Sequence, residues 1–194
     1  MKLNPKMAVC ICILAIILVA SYLFSVFHPS TPANTTRYEN TEAGLSFYYP
    51  QSLTKATSID RELIRLALPI TETGGSDVSD TITFGKPITL TQPADLQKVL
   101  VEQVTLDPSG EHPDSLQSFG QIQVKGQRFY FIQSGRFEGW LSYDYFLVQD
   151  KNVLPIFARW YIGDRWTDPT FEIKYDARYT QLITILSTIK LVQK

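Results

Sequence analysis

The sequence predicts an α+β domain, an antiparallel β-sheet packed with helices, carried behind a single membrane-crossing helix. Three observations lead there. The stretch Met7–Phe27, MAVCICILAIILVASYLFSVF, holds no charged residue. Residues 121–162 alternate apolar and polar side chains, broken by turn signals. Residues 176–189 carry apolar side chains three and four apart. A sheet followed by a helix that covers one face is the α+β solution.

The apolar stretch comes first. Its run of about 21 residues, at a rise of 1.5 Å each, crosses a hydrocarbon core of roughly 30 Å. A continuous helix satisfies its own backbone polar groups in lipid. Lys2 and Lys6 precede it and no charge follows until Arg37. The positive-inside rule therefore puts residues 1–6 in the cytoplasm and the rest outside, as a single-pass signal anchor of the cell membrane. The rival reading is a cleaved signal peptide cut near Val19-Ala20-Ser21. The apolar run continues past that point through Tyr22, Leu23, Phe24, Val26 and Phe27, longer than the 7–15 residues usual for a signal core. The two cysteines, Cys10 and Cys12, both lie in this stretch. The exported part therefore has no disulfide and depends on its core.

Residues 28–37 read as a polar linker and 38–194 as one extracytoplasmic domain, long enough to bury a sizeable core. Of 18 basic side chains only Lys2 and Lys6 precede Arg37, and all 19 acids follow it, so this domain carries a net charge near −3. With no basic stripe, binding to nucleic acid has no support. A charged fraction of 19% and an aromatic fraction of 12% suit a β-rich domain.

The elements follow in order. In the linker, Asn34-Thr35-Thr36 matches the N-glycosylation acceptor pattern. Glu42-Ala43-Gly44 marks a turn, and Leu45, Phe47 and Tyr49 alternate along a half-buried strand that Pro50 ends. Leu63–Leu68 is a second strand. Thr71–Asp80 is a loop, whose Gly74-Gly75-Ser76 lacks the strand–Lys–helix context of a phosphate loop. Thr81–Phe84 begins a third strand, bent or interrupted at Gly85 and Pro87. Pro93 suits a first helical turn, and Leu96, Val99, Leu100 and Val104 share a face, giving a helix over 93–104. Gln121–Val124, Gln127–Ser134, Gly139–Gln149 and Val153–Ile162 form an antiparallel meander. Its turns are Lys125-Gly126 and Asp150-Lys151-Asn152. Pro155 argues for an edge or a bulge in the last strand. Asp176 caps a final helix bearing Tyr179, Leu182, Ile183, Leu186 and Ile189 on one face, and residues 190–194 continue as a short strand or tail.

Two phrases point to a family. Tyr38–Pro50, YENTEAGLSFYYP, opens the domain, and Leu182–Leu191, LITILSTIKL, closes it. Together they resemble the small extracytoplasmic domains related to the photosystem II PsbP family, many of them bacterial and membrane-anchored. Leu45 stands where that family commonly has phenylalanine, and no tryptophan follows Pro50 closely. The resemblance implies an α/β/α sandwich built on an antiparallel sheet and an accessory or binding role. It carries no catalytic residues and no cofactor.

The chemistry of the residues agrees with an accessory role. His112 is the only histidine after residue 37. With no cysteine beside it, the usual zinc ligand set is absent. A serine nucleophile lacks a Gly-x-Ser-x-Gly elbow. No catalytic residue, metal site or cofactor is expected. Asp144 interrupts an apolar strand and is read as a solvent-facing residue. The alternative function, an envelope hydrolase, would pair Asp144 with Glu138, Asp164 or Asp168. The dense aromatic set supplies the expected binding surface, Trp140, Tyr143, Tyr161 and Trp166, acting through contact with a protein partner at the membrane or through ligand capture.

Overall fold

The computed structural model describes residues 33–59, 61–68, 80–106 and 112–192. The expected anchor Met7–Phe27, its cytoplasmic flank 1–6, most of the linker and the Gly74-Gly75-Ser76 loop lie outside the described residues. Among the described residues no helix is long and apolar enough to cross a membrane.

The first strand, β1 (Thr35–Asn40), starts inside the segment that the sequence assigns to the linker. Its connection to β2 (Leu45–Pro50) is the expected turn, closed by Gly44 N–H donating to Thr41 O. Gly44 is required there: its φ is +64°, and a Cβ would lie 2.4 Å from Val192 O. Along β2 Leu45, Phe47 and Tyr49 are buried while their neighbours are half-buried, the period-2 signature of a strand with one face on a core.

A large antiparallel sheet follows. It contains β3 (Thr54–Ala56), β4 (Glu62–Ala67), β5 (Thr81–Gly85) and β6 (Ile88–Thr89). It also contains β7 (Gly120–Val124), β8 (Gln127–Phe137), β9 (Trp140–Gln149) and β10 (Asn152–Tyr161). Its order is β3-β4-β5-β10-β9-β8-β7, with β6 paired to β10. The meander β7 to β10 is held by tight turns. Lys125 and Gly126 have φ of 46° and 81°, and Glu138 and Gly139 have 49° and 82°. Positive φ at both central residues gives the twist that two-residue hairpins need.

Pro155 marks a departure from expectation. β10 is not an edge strand, because it pairs with β9 along its whole length. On its other flank the pairing runs Val153↔Ile88 and resumes at Ile156↔Phe84. Pro155 falls in that gap, packed near Gly85, so a residue without an N–H is tolerated inside the sheet.

The two faces of the sheet are covered differently. One face carries Ile64, Leu66, Ile82, Phe84, Phe129, Leu141, Tyr145, Leu147, Leu154, Ile156, Ala158 and Trp160 into the larger core. Over it lie β2 and the helix α2 (Ala177–Leu186), whose Leu182, Ile185 and Leu186 are buried. The rings of Phe47 and Phe84 stack at 4.2 Å across this interface. Asp176 caps α2 as expected, accepting from Arg178 N–H at 2.9 Å. Then β11 (Lys190–Leu191) pairs with β2, completing a three-stranded sheet β1-β2-β11. Gln127 Nε2 donates to Ile189 O at 2.9 Å, tying this small sheet to the large one. The opposite face carries Tyr130, Phe146 and Val153 into a second core beneath Leu100 of α1 (Leu96–Gln103). Helices thus cover both faces of an antiparallel sheet, the α+β arrangement expected.

A buried ion cluster fixes one end. Arg178 donates to Asp80 Oδ2 at 2.7 Å, to Asp176 Oδ2 at 2.7 Å and to Tyr161 O at 2.8 Å. It joins the start of α2 to the end of β10 and the start of β5. Hydrogen bonds from Arg178 hold the Asp176 carboxyl below its ordinary range.

Candidate functional site

Cross-strand register arranges side chains on the sheet in rows. Tyr161 faces Trp140. Arg159 faces Ser142 on one side and Thr81 on the other. Phe157 faces Asp144 and Thr83. Alternation puts all of these on the face that α1 covers, and opposite partners lie about 5 Å apart. Yet none of Trp140, Phe157 or Tyr161 belongs to either core. Beyond the end of α1, Thr105 N–H donates to Asp144 on this face.

At this end of the face the aromatic rings and a cation pack on one another. The Trp140 and Tyr161 rings meet edge to face at 5.3 Å. The guanidinium carbon of Arg159 lies 4.5 Å from the Trp140 ring centre, a cation–π stack, and Arg159 is exposed. Gly139 makes room: a Cβ there would lie 2.7 Å from the Tyr161 ring, and its φ of +82° suits glycine alone. Arg65, on the same face of β4, pairs with Glu62. Arg159 has no carboxylate partner among the described residues.

The four aromatic residues expected to form a surface therefore separate. Trp140 and Tyr161 lie together. Tyr143 points to the opposite face, against Trp160 at 6.1 Å, with its hydroxyl donating to Gln133 at 3.1 Å. Trp166 packs against the larger core and meets the Phe137 ring edge to face at 6.2 Å. Its backbone oxygen accepts from Arg136 Nε at 2.7 Å, so it belongs to a bracket holding the 3-10 turn Gly163–Thr167. Arg159 is the residue that sequence reading missed. The signal was available, since it stands between Phe157 and Tyr161 on one side of a strand.

Asp144 is corrected more sharply. It is 2% exposed, not solvent-facing. Ser134 Oγ donates to Oδ1 at 2.8 Å and Thr105 N–H donates to Oδ2 at 2.7 Å. The β8–β9 register shifts between Gln133 and Gly135, and this bulge turns the Ser134 hydroxyl onto the carboxyl. Burial without a cation pushes the Asp144 carboxyl up to about 7, against the pull of the two hydrogen bonds. Glu138 sits exposed in a turn, Asp164 is exposed, and Asp168 accepts from Thr170 at 2.8 Å. None of the three is hydrogen-bonded to Asp144, whose partners are Ser134 and Thr105. His112 is exposed, with Nδ1 3.0 Å from Pro113 O. Among the described residues no cluster of three metal-ligating side chains occurs.

Comparison with known proteins bears on the fold. No family model matches the chain, and no curated protein matches it. A crystal structure from Bacteroides thetaiotaomicron is similar at 10% identity and a TM-score of 0.52, covering 83% of this chain and 50% of that one. This chain thus spans half the length of that protein. The solution structure of cyanobacterial PsbP (CyanoP) from Synechocystis sp. PCC 6803 aligns at 13% identity and a TM-score of 0.49. That alignment covers 84% of this chain and 96% of that one.

Proposed function

We propose that this chain is a non-enzymatic accessory domain of PsbP-like architecture. In this reading Met7–Phe27 holds it on the outer side of the cell membrane, and it docks on a protein partner there. One observation carries the docking: Trp140, Phe157, Tyr161 and Arg159 share a sheet face and lie outside both cores, and Trp140 packs on both Tyr161 and Arg159. Large rings and arginine give much contact area for little lost conformational freedom, and they dominate binding hot spots. The PsbP-like architecture has separate support. The two phrases that resemble the family meet in space: β2 pairs with β11, and Tyr48 N–H donates to Thr188 Oγ1 at 2.9 Å.

The test is crosslinking in intact cells followed by purification of the anchored chain. A stoichiometric partner should be captured by the natural chain and lost from Trp140→Ala at unchanged abundance. Capture that Trp140→Ala leaves intact would refute the assignment of the surface. Protease added to intact cells should degrade residues 38–194, and protection would refute the orientation.

A further inference from the structure

We propose that Arg159 is a carboxylate-recognition site, reading one glutamate or aspartate in an apolar segment of the partner protein; this rests on the docking face proposed above. Contact with Trp140 holds the guanidinium in place, its carbon 4.5 Å from the ring centre. A stacked guanidinium keeps its N–H edge for hydrogen bonding, and that edge matches the two oxygens of a carboxylate. Its row supplies more donors. Ser142 on β9 and Thr81 on β5 are its direct cross-strand partners, and both are half-buried. A hydroxyl thus stands on either side, about 5 Å away along the row.

The surroundings select the rest of the ligand. Trp140 and Tyr161 border the row at one end and Phe157 at the other, so the approach to Arg159 is walled by rings. Large rings beside the charge ask for apolar side chains flanking the acid. A single cation does not suit a nucleic acid, which needs several phosphates neutralised. Of the other described cations on the sheet strands of this face, Arg65 is already paired with Glu62, and Arg128 lies away on β8 opposite Gln123. Among the described residues, Asp144 on this face lies beneath Thr105 and is buried.

The test uses the full chain in detergent micelles and two labelled, acetylated heptapeptides. One has a central glutamate flanked by leucine and phenylalanine, and the other has glutamine at the same place. Fluorescence anisotropy should show the glutamate peptide binding at least about tenfold more tightly, the scale of a charge-assisted pair. Arg159→Gln should erase that preference, and Arg159→Lys should keep only part of it. Both variants should hold the natural urea midpoint, because Arg159 contributes to neither core. Equal binding of the two peptides, binding of neither, or a preference retained in Arg159→Gln overturns the inference. Partner capture from cells separates the two proposals. Loss in Trp140→Ala with full retention in Arg159→Gln defeats the carboxylate site and leaves the accessory role standing. No partner for the natural chain defeats the accessory role itself.

Discussion

Replacing Asp144 by asparagine should stabilise the domain in alkaline solution and leave it nearly unchanged in acid. The carboxyl is 2% exposed and has two neutral donors but no cation against it. Its folded-state pKa is raised from 3.8 to about 7. Between those values the folded state keeps a proton that the unfolded chain has released. Stability is therefore greatest below about pH 4, falls as pH rises toward 7, and is flat above it. The shift corresponds to about 4 kcal/mol lost across that window. Asparagine has the same shape, can accept from Thr105 N–H through its oxygen, and can donate to Ser134 Oγ through its amide. It removes the ionisation and keeps the network. Urea denaturation of both proteins at pH 5 and pH 8 measures the effect. The difference between the two curves isolates Asp144 from acids such as Asp176, whose lowered pKa acts in the opposite direction. The natural chain should lose stability between the two pH values relative to Asp144→Asn, by a few kcal/mol. A difference that does not change with pH would refute the reasoning, since it would mean that a cation already neutralises the carboxylate.

Four further outcomes follow from the geometry. Asp144→Ala leaves the Thr105 N–H and the Ser134 hydroxyl without their acceptor and should cost about 3 kcal/mol at pH 5, read from the same urea curves. Arg178→Ala strands the buried Asp80 carboxylate, weakens the hold on half-buried Asp176, and should cost roughly 3 kcal/mol, with Arg178→Lys recovering only part because the fork is lost. Gly44→Ala forces a Cβ against Val192 O at a positive φ and should cost more than about 1 kcal/mol, seen as a lower Tm and faster amide exchange in β11. Trp166→Ala should reduce stability by about 2 kcal/mol through lost packing while leaving partner capture intact, the reverse of what a surface tryptophan would do.

Much of the fold was legible because it is local. Alternation in Leu45–Pro50 and the Lys125-Gly126 turn announce themselves within a few residues, as do the Asp176 cap and the apolar face of α2. What escaped was set by partners far along the chain. β3 is three residues of TKA, with no pattern of its own, and exists because β4 offers it an edge. Pro155 reads as an edge signal. Only the gap between β5 and β6 lets it sit in an interior strand. Asp144 reads as a polar interruption until the chain 39 residues earlier delivers Thr105 to it. The site was half legible. Period 2 already separates Tyr143 from Trp140, and grouping them by aromatic density ignored that rule. The packing of Trp166 under Arg136 depends on the path of the connection 163–176, which no short pattern encodes.

The most direct test of the accessory reading is site-specific photo-crosslinking in intact cells. A photoreactive residue is placed at Ser142, inside the row of Arg159, and in a second strain at Lys98, on the exposed side of α1. The account predicts one crosslinked protein species from position 142, absent from position 98 and lost on Trp140→Ala. The same species from both positions, or none from position 142, would contradict it.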